Sequence, residues 1–318
     1  MFQVRFLAEE LSKAARCGGF FRRRFTPISV MTASQVEVRP AQSVDIERIH
    51  ELQRQARHTC VRFGYEDMAR MIGRDYFFVA ENGRKLRGYV CAAVQQPGLA
   101  QLRGLGLANG WGLEAGVDHL LRPLEAALRR DQVDHVLHLG IEQWTVPPLQ
   151  HQRFDTPDYI VSFERAISTA PQTPQHFNPL VELRAPAPDE FEQLADLDHR
   201  CFPWPWQLSP EDLINLLMMS SRLVVLDYQG ILVGYACTDL AGIQAQIARL
   251  AVDPVYHGVG FGRYLLADAL DFAAARGALS VTLNTQSYNQ ASQRLYQGFG
   301  FRPVGPRIPV MIKHLHGE

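Results

Sequence analysis

The chain has 318 residues, 47% of them apolar and 20% charged, with a formal net charge of −1. That length suits about two domains of ordinary size, and the composition is that of a folded, soluble protein. Near-neutrality excludes a general electrostatic pull toward nucleic acid or anionic membranes, and the five scattered cysteines (Cys17, Cys60, Cys91, Cys201, Cys237) lack the spacing of a disulfide framework or zinc site.

Residues 1–34 come first. They carry Arg5, Lys13, Arg16 and Arg22-Arg23-Arg24 against Glu9 and Glu10. This reads as a basic extension, disordered or a product of an upstream start, since Met31 followed by Thr-Ala-Ser offers a second start site. Neither an apolar run of roughly 20 residues nor a secretory h-region is present, so the expectation is a cytoplasmic protein with no membrane partner.

From residue 35 onward one plan is stated twice. "VEVRPAQSVDIERIHELQR" from Val36 resembles "VELRAPAPDEFEQLADLDHR" from Val181, each a strand and then an amphipathic helix. "DYFFVAENGRKLRGYVCAAV" from Asp75 matches "SRLVVLDYQGILVGYACTDL" from Ser221, hairpins whose second strands carry Gly88-Tyr89 and Gly234-Tyr235. "AQLRGLGLANGWGLEAGVDHLL" from Ala100 answers "AQIARLAVDPVYHGVGFGRYLL" from Ala245, and the offset stays at 145 or 146 residues throughout. "TAPQTPQHFNP", Thr169–Pro179, is too rich in proline and polar residues for a regular element and marks a linker. The predicted organisation is an extension over 1–34, domains over 35–168 and 180–318, and a linker over 169–179. The class is α/β in an α+β layered form, each domain a mixed, mostly antiparallel sheet flanked by helices.

In the second copy the strand "IARLAVDP" leads through His257, Gly258, Val259 and Gly260 into a helix with Leu265, Leu266, Ala269, Leu270 and Ala273 on one stripe. Glycines at 258, 260 and 262 bare the backbone where a helix N-terminus leaves N–H groups unpaired, the makings of an anion cradle. The spacing is G-x-G-x-G, which is neither the dinucleotide fingerprint nor a P-loop. Further on, "LSVTLNTQSYNQASQRLYQGFGF" sets Asn289, Ser292, Leu295, Tyr296, Gly300 and Phe301 at fixed separations.

These two motifs together resemble the GCN5-related N-acetyltransferase (GNAT) superfamily, whose loop reads Arg or Gln, two residues, Gly, one residue, Gly or Ala. His257 departs from that pattern at its first position; Gly260 and Gly262 meet it. The resemblance, spanning about Val181 to Leu315, implies tandem GNAT-like acyl-CoA N-acyltransferase domains and acetyl-CoA as co-substrate, with no metal. It implies that backbone N–H groups of Gly258, Val259, Gly260, Phe261, Gly262 and Arg263 hold the pyrophosphate, aided by His257 and Asn289. Leu250, Ala251 and Val252 would bond the pantetheine arm like an added strand, a backbone N–H near Val252 would meet the developing oxyanion, and Tyr296 would return a proton to the departing thiolate. Transfer to a primary amine would proceed by direct attack in a ternary complex, after a base or water chain neutralises an amine whose pKa lies near 10.4 when lysine-like.

"CFPWPW", Cys201–Trp206, resembles a segment of bacterial ribosomal-protein N-terminal acetyltransferases, which implies a peptide α-amine acceptor. The glutamate that serves those enzymes as base is replaced here by Asn284, which leaves either a base elsewhere, Asp239 or His199, or a different substrate. In the first copy "WGLEAG", Trp111–Gly116, puts Glu114 at the central glycine's place and the second motif is missing, so that copy is expected to be degenerate. The alternatives to an enzyme are an inactive acyl-CoA sensor and a scaffold. The sequence specifies neither the acceptor nor an oligomeric state.

Overall fold

A computed structural model describes residues 36–167 and 178–316, apart from 75, 84 and 209. The predicted basic extension and most of the linker lie outside the described residues. The chain divides into two compact units, whose described parts are residues 36–159 with 308–316, and residues 160–167 with 178–307.

In the N-terminal unit β1 (Glu37–Pro40), β3 (Tyr76–Asn82), β4 (Lys85–Gln96), β5 (Leu99–Leu107), β6 (His135–Leu139) and β13 (Arg302–His314) follow one another across the sheet, and β2 (His58–Val61) lies beside β5. Helices α1 (Ile46–Gln55) and α2 (Tyr65–Met71) cover one face and α3 (Leu113–Arg130) the other; the short α4 (Val146–His151) precedes β7 (Asp155–Ala166). Period-two alternation sorts the core: Tyr89 and Cys91 of β4 pack with Ile49, Leu52 and Met68, while Val90 and Ala92 pack with Leu120, Leu121, Leu124 and Leu128.

The C-terminal unit repeats the arrangement with β8 (Val181–Arg184), β9 (Arg222–Tyr228), β10 (Ile231–Ala241), β11 (Gln244–Val252) and β12 (Ser280–Gln286). Helices α5 (Phe191–Cys201) and α6 (Pro210–Met219) bury Leu194, Leu197, Leu213 and Leu217 on one face. On the other, α7 (Phe261–Ala275) buries Leu265, Leu266, Ala269, Leu270 and Ala273, the predicted stripe, and α8 (Gln290–Gly298) contributes Tyr296. At about 25 cal/mol per Å² of apolar surface, each buried leucine contributes roughly 2 kcal/mol.

The repeat extends to the polar anchors. Arg39 bonds Asp45 at 2.7 Å and Glu81 at 2.7 Å, and in the second unit Arg184 bonds Glu190 at 2.6 Å and Asp227 at 2.9 Å. Each set ties the first strand to the start of the first helix and to the strand beside it in the sheet. Both β4 and β10 slip register at the same place, between Cys91 and Ala92 and between Cys237 and Thr238.

The units depart from a linear division of the chain at their edge strands. Residues Ile160–Ala166 of β7 pair antiparallel with Gln286–Ser280 of β12, and so complete the C-terminal unit's sheet. Residues Val310–His314 of β13 pair antiparallel with Leu139–His135 of β6, and complete the N-terminal unit's sheet. Each unit thus includes strand residues supplied by the other half of the sequence.

Candidate active site

The site is set by where two strands part. β11 and β12 run parallel and pair from Gln244↔Ser280 to Ile247↔Leu283; among the described residues no β12 partner stands beside Ala248–Val252. On its other edge β11 stays paired with β10 through Gly234↔Val252. Asp253 N–H donates to Val233 O at 2.8 Å. That bond makes Gly234↔Val252 a non-hydrogen-bonded pair and Tyr235↔Ala251 a hydrogen-bonded one. The peptide groups of Leu250 and Val252 therefore face the open edge. Those of Ala251 face β10, so the expectation that all three consecutive residues offer backbone bonds is corrected to two by strand alternation.

At the end of this edge the chain turns into α7. Gly258 and Gly260 have φ of +84° and +97°, and no atom lies within 4 Å of the place a Cβ would take at either. These are left-handed values that L side chains rarely adopt. The loop is bare and open where the first N–H groups of α7, at Phe261 and Gly262, have no intrahelical partner. Arg263 differs: its N–H donates to Gly260 O at 2.9 Å, and its guanidinium lies 5.3 Å from the Phe299 ring centre. The Phe261 side chain is buried against Tyr228 and Tyr256, leaving only its backbone to the loop, while Val259 is exposed.

His257 folds back onto the strand, with Nε2 2.8 Å from Val252 O. A carbonyl only accepts, so Nε2 carries the hydrogen, and in the neutral ring Nδ1 is an acceptor. The ring therefore offers a donor to an anion only as imidazolium. Val252 N–H stays directed at the open edge.

The second motif meets the first at Gly262. A Cβ there would lie 3.2 Å from Leu295 Cδ2 and 3.9 Å from Val252 Cγ2, so the missing side chain lets α8 close on α7 and β11. Asn289 caps α8 by accepting from Ser292 N–H at 3.1 Å. Tyr296 is buried between Phe163 and Phe301, and burial pushes its phenol up to about 12.

On the opposite face of the sheet the segment after α5 runs from Phe202 to Leu208. His199 Nε2 donates to Leu208 O at 3.0 Å and braces this segment. Asp239 lies opposite Gln246, at the other end of β11 from Val252, and accepts from Ser221 N–H at 3.3 Å. The six residue steps between those ends span about 20 Å. Asn284 sits on β12 one residue past the last β11 pair, opposite Ser162 of β7. Burial pushes the thiols of Cys201 and Cys237 up to about 12, which removes both as thiolate nucleophiles at neutral pH.

Sequence reasoning missed a charged cluster here. Arg249 of β11 bonds the fully buried Asp198 of α5 at 2.6 and 2.8 Å, and Tyr235 donates to the same carboxylate. The signal was present: an arginine within an apolar strand, and an aspartate at the i+4 position from Leu194 on the apolar side of its helix.

The same corner of the N-terminal unit is closed. β5 and β6 pair in parallel from Leu99↔His135 to Gln101↔Leu137, and beyond that point β2 takes the β6 side of β5, from Val61↔Gly104 to His58↔Leu107. Arg62 N–H donates to Arg103 O at 2.7 Å. That bond makes Cys60↔Leu105 and His58↔Leu107 hydrogen-bonded pairs. Leu105 and Leu107, which match Leu250 and Val252, thus spend their outward peptide groups on the chain's own strand. Arg62–Glu142 and Trp144 Nε1–Thr59 O (3.4 Å) hold β2 in place. Glu114 stands exposed in the first turn of α3, as the sequence placed it.

Among the described residues no helix is long and apolar enough to cross a membrane, and no group of His, Cys, Asp and Glu has the arrangement of a metal site.

Residues 191–301 match the Acetyltransferase (GNAT) family. An uncharacterised protein of Mycobacterium leprae is 31% identical over 128 residues, 38% of this chain and 34% of that protein. N-alpha-acetyltransferase RimI of Mycobacterium tuberculosis is 34% identical over 124 residues, 36% of this chain and 75% of RimI. A putative ribosomal protein bS18-alanine N-acetyltransferase of Bacillus subtilis is 28% identical over 123 residues, 36% of this chain and 80% of that protein. The chain thus spans about a third of the first relative and three quarters or more of the other two. Two solved structures share the fold along nearly the whole chain. A GCN5-related N-acetyltransferase from Sphaerobacter thermophilus has a TM-score of 0.65 at 13% identity, covering 90% of this chain and 98% of its own. A tandem GNAT protein from the clavulanic acid biosynthesis pathway has a TM-score of 0.60 at 11% identity, covering 89% and 99%. The chain belongs to the acetyltransferase (GNAT) family.

Proposed function

We propose that the C-terminal unit transfers an acetyl group from acetyl-CoA to a primary amine by direct attack in a ternary complex. One observation carries the reading: the open edge of β11, with outward peptide groups at Leu250 and Val252, ends at a bare glycine loop on a helix N-terminus. An extended amide-bearing arm fits the first and a diphosphate the second. Acetyl-CoA supplies an activated acyl thioester. The N–H groups of Gly258, Val259, Gly260, Phe261 and Gly262 receive the diphosphate, with His257 adding a donor when protonated. Asn289 holds α8 in place at this corner. Val252 N–H is aimed where negative charge grows on the thioester oxygen. Tyr296 keeps its proton through neutral pH and passes it to the departing sulfur, whose own affinity for the proton rises in a dry cleft, and the proton that the attacking amine loses travels through water to restore the phenol. With the Cys201 and Cys237 thiols protonated, neither suits an acyl-enzyme, which supports direct attack.

The acceptor has the chemistry of a peptide α-amine, because the relatives that align with this unit include N-terminal and alanine N-acetyltransferases. The working compartment is the cytoplasm, with no nucleic-acid or membrane partner. The N-terminal unit binds no acyl-CoA, since β2 fills its slot. An inactive acyl-CoA sensor is the second reading, favoured by Asn284, an amide that takes no proton. Calorimetric titration with acetyl-CoA, followed by thiol release with an Ala-initial hexapeptide, an N-blocked lysine peptide and spermidine, tests these. Binding at one site per chain with turnover on the hexapeptide is expected. Binding without turnover on any amine establishes the sensor, and absence of binding overturns both.

A further inference from the structure

The Arg249 cluster takes no part in the steps above. Asp198 is fully buried and Arg249 is 9% exposed. This is a costly arrangement, one that apolar residues of similar size replace without loss of stability in other proteins. A guanidinium adds a planar fork and a flat face. Arg249 uses both: its NH2 group donates to Trp206 O at 3.0 Å, and its carbon lies 3.5 Å from the centre of the Phe202 ring. These two contacts bracket the half-exposed Trp204. The backbone of Arg249 belongs to the stretch of β11 beside the open edge. One residue therefore ties the segment after α5 to the strand that carries Leu250 and Val252.

The N-terminal unit shows what happens without it. Gly104 pairs with Cys91 as Arg249 pairs with Cys237, at the same register slip. A Cβ at Gly104 would lie 2.7 Å from the Phe63 ring, so only glycine lets the segment after α1 approach this closely, and that segment lies on β5 as β2. Where the arginine stands, the equivalent segment is held by a side chain on the sheet face and the strand edge stays open.

We propose that Arg249 is a positioning residue that anchors the Phe202–Trp206 segment beside the open edge as the wall against which the acceptor amine is placed. This rests on the reading of that edge as the thioester site. Arg249→Lys keeps a charge for Asp198 and loses the fork and the face; Phe202→Leu loses only the stacking. In the Lys variant, hydrogen exchange of amides 202–208 should rise at least tenfold. KM for the Ala-initial hexapeptide should rise about tenfold, with kcat within threefold and acetyl-CoA affinity within twofold of the parent protein. Phe202→Leu should shift exchange and KM in the same direction by less. Unchanged exchange of 202–208, or a fall in kcat or acetyl-CoA affinity with KM unchanged, overturns the proposal. Should the parent protein acetylate none of the three amines, the function reading fails on its own, and the exchange of 202–208 still decides whether Arg249 is the anchor.

Discussion

Single atoms decide much of this site. A carboxylate at position 260, as the N-terminal copy has at Glu114, meets no steric obstacle. It would nonetheless take a left-handed φ that costs about 1–2 kcal/mol, and it would bring like charge toward a diphosphate. At roughly 8 Å and an effective dielectric of about 20 the repulsion is about 2 kcal/mol, so Gly260→Glu is expected to weaken acetyl-CoA binding roughly 30-fold or more by calorimetry while the protein stays folded. Tyr296 makes a different prediction. With its phenol held near 12 it remains protonated at every working pH, so the rate should show no basic limb from this group below about pH 10. Tyr296→Phe should lower kcat about 100-fold with acetyl-CoA affinity intact, measured by thiol release and titration. A third concerns stability. Bonds from Arg184 hold the Glu190 carboxyl below its ordinary value, so its contribution is present above the unfolded-state pKa and is lost as pH falls through the lower folded value. The stability gap between the parent protein and Glu190→Gln, read from urea unfolding, should be largest at neutral pH and close below about pH 4. The bare backbone at Gly260 and the cap at Asn289 were legible in the sequence, whereas the role of Tyr296 came only from the family resemblance. The engagement of His257 with Val252 O was not legible, because a ring's partner depends on where the folded strand points its carbonyl.

The contrast between the two copies is one of elements. Their helices and strands correspond almost one for one, and alternation of apolar residues was enough to foresee them. What differs is a single short segment: after α1 it is strand β2, zipped to β5, and after α5 it is a loop braced from the sheet face. The sequence pointed to Glu114 and the missing second motif as reasons to expect a silent first copy; the strand edge filled by β2 is a further reason for that expectation. Four residues, "HTCV", carry no signal strong enough to announce a strand, and strand pairing at an edge depends on which neighbour is within reach. Acetyl-CoA titration should therefore saturate at one molecule per chain, and Gly260→Glu should remove that single event. A second equivalent surviving in the variant would show that the N-terminal unit binds after all.

Across the whole molecule, the edge strands make the two halves of the sequence dependent on each other. In the N-terminal unit, β13 brings the buried Met311 into the core, Leu315 follows it there, and Lys313 Nζ bonds Glu125 at 2.5 Å while Arg129 donates to Leu315 O at 2.7 Å. In the C-terminal unit, β7 supplies Phe163 and Val161 beside Leu283 and Tyr296. Deleting residues 308–318 is expected to melt the N-terminal unit through the loss of those contacts, and Met311→Ala alone should cost about 2–5 kcal/mol by urea unfolding. Residues 180–318 expressed alone should fold poorly and recover on co-expression with the first half, judged by circular dichroism. Independent folding of that fragment would sink the exchanged-strand account.

The amino-acid order by itself determined the class of fold, the duplication and the bare loop, because those rest on local periodicity and on short fixed spacings that any chain of this pattern must express. Tertiary structure alone decided which peptide groups of β11 face outward, which slot is occupied, where Arg249 reaches, and which half of the chain completes each sheet. Those outcomes depend on partners far apart in the chain competing for the same hydrogen bonds, and such competition leaves no periodic trace in a single sequence.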